Sequence, residues 1–193
     1  IDHDGNHSVI NNLTGHIYIS NESNDGDIVF RSDDGAGGVD TYFYLDGSLT
    51  NGSSVLGATR FPDKSKIYMG SGGNLQIFHD GSNSYISNST GALYIENFAD
   101  NKDIIFKSDN GSGGVATYFS LDGNTASSPY VYTRFPDNSV IFLGDGGDAA
   151  IFHDGTDTRI KNETGDLFIS QFANDKDIVF RSDDGSGGIT QYF

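Results

Sequence analysis

Cysteine and tryptophan are absent from this chain, methionine occurs once, and only 11 basic residues stand against 27 acidic ones. Without cysteine there are no disulfide staples and no thiolate-bound metals. The few Lys and Arg form no cluster, and the formal net charge is −16. Nucleic acid and anionic membrane surfaces attract proteins through basic patches, so neither is an expected partner. The charge reads first as a means of keeping a glycine-rich protein soluble, with divalent cation binding as the alternative. No apolar run approaches the roughly 20 residues of a membrane-spanning helix, so membrane insertion is not expected. Ile1 opens directly into polar sequence, unlike a secretory leader. Nor does any stretch keep a 3.6-residue apolar period long enough for a helix.

Aromatic residues and glycine are plentiful, with 14 Phe, 10 Tyr and 26 Gly, although only 35% of residues are hydrophobic. Chains that stay disordered are short of aromatics, so a folded protein is expected. The dominant feature is repetition. The stretch Ile77–Phe119 lies over Ile151–Phe193 at an offset of 74, with 25 of 43 positions identical. The copy that starts at Ile1 is displaced by 76, and the offset falls back to 74 by Arg60, so two residues differ in the intervening loop. The organisation is repeat 1 over 1–76, repeat 2 over 77–150 and a partial repeat 3 over 151–193, about 2.6 repeats of 74–76 residues. A fixed period of this kind marks arrays and elongated architectures. Because the third copy stops mid-repeat, the expectation is a window on a longer chain.

Each repeat reads as β throughout. In the second copy, strands are expected near Ser84–Ile86, Leu93–Ile95, Ile104–Lys107, Thr117–Leu121, Val131–Phe135, Val140–Leu143 and Ala150–His153. Turn sequences such as Asp109-Asn110-Gly111 and Gly144-Asp145-Gly146-Gly147 separate them. Several strands (DIIF, VIFL, AIF) are apolar on consecutive residues, which requires cover on both faces. A repeat of this size cannot supply that cover alone. The expectation is therefore all-β: an elongated fibre shaft of short strands, either a β-solenoid or an intertwined trimeric β-fibre. Its stabilising core would include Ile104, Phe106, Tyr118, Phe119 and Phe135.

His3, His79 and His153 each begin a His-Asp-Gly triplet, but one His and one Asp per repeat are too few ligands for a metal. The expected role is a turn in which Asp80 or Asp154 bonds the backbone. Three histidines meeting at an oligomer axis would be the metal-binding alternative. SDDGAGG at Ser32–Gly38 and its equivalents read as tight turns; calcium is the alternative, and it needs six or more oxygens. No cofactor is expected otherwise, no phosphate-cradling lysine follows the glycines, and no catalytic constellation stands out. Asn12, Asn88 and Asn162 head Asn-x-Thr sequons at equivalent positions, which would carry sugar only if the producing cell attaches it. Arg134 and Asp137, flanking Pro136, are candidates for an intra-repeat or interchain ion pair.

The set HDGSNSYI, STGALYI, DIIFKSDNGSGG, YFSLDG and TRFPDNSVIFLGDGGDAAIFHDG, which covers essentially the whole chain, resembles repeats in tail fibres and other virion fibre proteins of bacteriophages. The resemblance implies a trimeric, β-rich, thin shaft on the virion, outside the cell, holding a host-binding tip away from the particle. It implies self-association as a homotrimer, with any host-surface glycan bound through regions outside this segment. Two other readings are a subunit of an extracellular head-to-tail filament and a glycan-binding surface adhesin. Tyr85 is replaced by Arg159 in the third copy, so that aromatic is no constant sugar platform.

Overall fold

The structure is a computed structural model that describes all residues except Ile1, Gly52, Ser53, Leu56 and Ser128. Among the described residues every regular element is a strand, and the strands form small antiparallel sheets of two or three. The chain divides into two compact units, Ile1–Tyr94 and Ile95–Phe193.

In the first unit, β1 (Asp2–His3) and β2 (Ser8–Val9) form a short hairpin. Strands β3 (Ile28–Asp33) and β4 (Val39–Asp46) pair across the SDDGAGG turn. After the small β5 (Thr50–Asn51) and β6 (Ser54–Val55) pair, β7 (Ala58–Arg60) returns to β4. The unit closes with a meander of β8 (Lys66–Met69), β9 (Leu75–His79) and β10 (Ser84–Asn88).

The second unit repeats the plan. Strands β11 (Ile104–Asp109), β12 (Val115–Ser127) and β13 (Tyr130–Arg134) form one sheet. Strands β14 (Ile141–Leu143), β15 (Ala149–His153) and β16 (Thr158–Asn162) form the second meander, and β17 (Arg181–Asp183) pairs with β18 (Ile189–Gln191). The boundary between repeats 1 and 2, drawn at residue 77, falls inside β9, so the sequence period sets a phase that the hairpins do not share.

Local chemistry explains the recurring hairpin. Phe106 stands directly opposite Phe119, and their rings stack at 4.5 Å. Phe119 also stacks on Phe135 at 5.8 Å, and Phe30, Phe43 and Phe61 build the same ladder in the first unit. Such ring pairs contribute about 0.5–1.5 kcal/mol beyond area burial. The register slips by one residue after Phe106, which leaves Tyr118 as a bulge. The Tyr118 hydroxyl then donates to the Asp109 carbonyl at 2.7 Å, as Tyr42 does to Asp33 and Tyr192 to Asp183.

One expectation changes. Leu93–Ile95 is not a paired strand, and neither are the equivalent 17–19 and 167–169. The chain also leaves open the faces that its apolar runs require to be covered. Ala150 is the one buried apolar side chain among the described residues. Of the expected core, Phe106, Tyr118 and Phe135 are exposed, while Ile104 and Phe119 are half-buried.

Accessible surface gives the scale of this. A 20.7 kDa chain folded as two independent globules would expose about 10,700 Å², and as one globule about 8,900 Å². The chain exposes 15925 Å², an excess of about 5,000 Å² over even the two-globule case.

Candidate assembly surface

The surplus surface is organised, and it recurs with the repeat. In the first meander Ile67 pairs with Ile77 and Ile77 with Ile86, so three isoleucines form a row across one sheet face. All three are exposed. Ile141, Ile151 and Ile160 form the same row in the second unit. The opposite face of the first meander is more polar. There Phe78 stacks on Tyr85 at 4.8 Å, and Lys66 Nζ lies 4.3 Å from the Phe78 centroid.

The second recurring feature is the unpaired stretch after each Asn-x-Thr-Gly turn. Residues 16–20, 92–96 and 166–170 run without turn, bend or helix. Their backbones have no hydrogen-bond partner among the described residues. In each the central aromatic is the most open: Tyr18 at 83%, Tyr94 at 77% and Phe168 at 81%. Phe98 and Phe172 follow at 90% and 91%, whereas Glu22 takes that place in the first copy.

The turns between these features are held by acidic side chains. Asp80 Oδ1 accepts from the backbone N–H of Ser82 and of Asn83, both at 2.8 Å, and Asp154 does the same with Thr156 and Asp157. Those N–H donors hold both carboxyls below the ordinary aspartate range. In the acidic glycine loops Asp34 accepts from Ala36 and Gly38, and Asp184 from Ser186 and Gly188. Asn110 occupies the equivalent place and makes the same two bonds through its amide oxygen. The loop therefore needs an acceptor there, not a charge. Among the described residues no three His, Asp or Glu side chains converge on a point where a metal could sit.

The histidine contacts are only partly shared between copies: Ser8 Oγ lies 3.4 Å from His3 Nδ1, at the place of Ser84 on His79. His3 Nδ1 lies 2.9 Å from the His7 carbonyl, His79 Nδ1 lies 3.2 Å from Ser84 Oγ, and His153 Nδ1 lies 3.0 Å from Asp137 Oδ1. With Asp137 beside His153, Arg134 pairs instead with Asp122 at 2.6 Å, an intra-repeat ion pair matched by Arg60 and Asp46 at 2.7 Å. Both aspartate side chains are only 4% exposed. Donors from Thr125 lower the Asp122 pKa first and Arg134 adds to it, while the Ser48 hydroxyl leads for Asp46. Sequence reading missed this pair because its members lie in separate motifs, LDG and TRFPD, that meet only through the β12–β13 register.

The sequon asparagines of the second and third copies act as turn donors. Asn88 Nδ2 donates to the Thr90 and Gly91 carbonyls, and Asn162 does the same with Thr164 and Gly165. Each unit also has a shallow cleft between its acidic loop and its proline turn, of about 320 Å³ beside Tyr42 and 440 Å³ beside Tyr118. Their linings diverge where a ligand would need constancy, since Asp40 and Lys64 become Ala116 and Asn138.

Compared with known proteins, the chain matches no family model, no curated protein and no solved structure. What it can do is read from its own geometry. Open apolar rows and unpaired straight segments, spaced by the repeat, suit association with another periodic surface.

Proposed function

We propose that this chain is a repeat segment of an extended, self-associating fibre shaft, with a structural role and no catalytic one. The observation that carries this reading is the surplus of about 5,000 Å² of accessible surface on a chain that buries almost no apolar side chain. A stable interface needs about 800 Å² from each partner, so the surplus is several interfaces' worth. Three chains closing around an axis would cover it and remove open strand edges.

Within this reading, the sequence resemblance to bacteriophage tail fibre repeats makes the fibre a virion shaft outside the cell. A host-surface glycan would then be met by parts of the fibre beyond this segment. Light scattering over a dilution series tests the reading. A fixed mass of three chains is the expected result. Mass that climbs without limit would point to an open filament instead, and a monomer at every concentration would refute self-association.

A further inference from the structure

We infer that residues 16–20, 92–96 and 166–170 are interchain strands, each pairing through its backbone with a second copy of this chain at the same phase of the repeat. The inference rests on the fibre reading and names the parts that would do the joining.

Three observations converge on it. The sequences HIYIS, ALYIE and DLFIS each place three apolar residues in a row, an aromatic between two aliphatics, so that in a strand the aromatic would face one side and the aliphatics the other. β-Branched and aromatic residues of this kind fit a pleated, half-buried surface and not a solvated loop. The backbones run without turn or bend and have no partner among the described residues, a row of N–H and C=O groups that can serve as a template for another strand. The exposure pattern is also the same three times over: Ile17, Leu93 and Leu167 at the near end, an aromatic most open at the centre, and Ile19, Ile95 and Ile169 beyond.

The period identifies the occupant. The segments recur at offsets of 76 and 74 residues, each separated by the same hairpins. A partner that engages all three must present strands at that spacing, and another copy of the chain does so in register. A glycan would use the open aromatic faces but would leave the backbone row unpaired. An unrelated peptide would need a separate copy for each segment, whereas one further copy of the chain carries all three strands.

Amide hydrogen exchange on the whole chain, above and below the concentration at which it assembles, tests this directly. The expected result is exchange at Leu93–Glu96 and its equivalents slowed a hundredfold or more in the assembly and released on dilution. Fast exchange at these amides in an assembly of defined mass would overturn the interchain strands while leaving the fibre reading intact. A monomer throughout would overturn both. Slow exchange in the monomer would assign the partner to the chain itself and refute the inference. Ile95→Pro removes one donor without touching any intrachain hydrogen bond, and should raise the assembly midpoint at least tenfold. Unchanged exchange at β11–β13 in that variant would show that the unit still folds.

Discussion

Phe98→Ala separates a self-sufficient chain from an assembling one by magnitude alone. In the single chain Phe98 is 90% exposed, so its loss should change stability by no more than about 0.5 kcal/mol, as surface substitutions do. Buried against a neighbouring copy, the same truncation should cost about 3 kcal/mol per chain, the lower end for a packed phenylalanine. In a three-chain assembly that is about 9 kcal/mol per complex. The concentration at half-assembly varies as the square root of the trimer dissociation constant, so it should rise by roughly three decades. Sedimentation over a dilution series reads this shift. A midpoint within about threefold of the parent, less than 1.4 kcal/mol, would show that Phe98 faces water in the assembly too and would refute the burial argument.

Two further outcomes follow from the turns. Asp4, Asp34, Asp80, Asp122, Asp154 and Asp184 are held below the ordinary aspartate value of 3.8 chiefly by backbone N–H donors, and Asp46 chiefly by the Ser48 hydroxyl. A depressed carboxyl stabilises the fold above its unfolded pKa and loses that contribution as pH falls through its folded value. Melting followed by circular dichroism should therefore be level from about pH 7 to 5 and fall below about pH 4; a midpoint still level at pH 3 would contradict the turn assignments. Gly123→Ala tests close approach, since a Cβ there would sit 2.5 Å from the Lys102 carbonyl oxygen and disturb the bond from Gly123 N–H to Asp103. A loss of about 1–3 kcal/mol in urea unfolding is expected, and a neutral result would remove the steric reason for that glycine.

The sequence makes the local structure legible and hides the tertiary completion. The hairpins at Asp109-Asn110-Gly111 and His79-Asp80-Gly81 can be read because an acceptor side chain two residues before a donor N–H is a local signal. The Tyr118 bulge is not visible in the pattern, since nothing local distinguishes Tyr118 from its strand neighbours until Phe106 stacks on Phe119. Leu93–Ile95 reads as a strand for sound reasons, yet a strand exists only with a partner, and none of the described residues supplies one. The runs DIIF and VIFL show that both faces need cover without saying what covers them. The Arg134 partner was open for a related reason: pairing depends on which strands lie side by side, and Asp122 reaches Arg134 only through a sheet register.

Charge and apolar surface are kept apart along the repeat, and this bears on how copies could meet. The carboxylates of Asp34, Asp80, Asp154 and Asp184 are spent on turn backbones, while the isoleucine rows and the straight segments carry no charge at their centres. Copies with a net charge of −16 repel at long range, but salt screens that repulsion over about 8–10 Å at physiological strength. The apolar contact itself is not screened. Each added repeat contributes one more row and one more segment at the same local energetics. Once the first repeat is engaged, the next binds at an effective concentration set by the chain, so affinity should multiply with repeat number while the energy of each contact stays the same. In the proposed fibre, contacts that add up repeat by repeat would let length be set by repeat count alone, with no change to the chemistry of any single turn or strand.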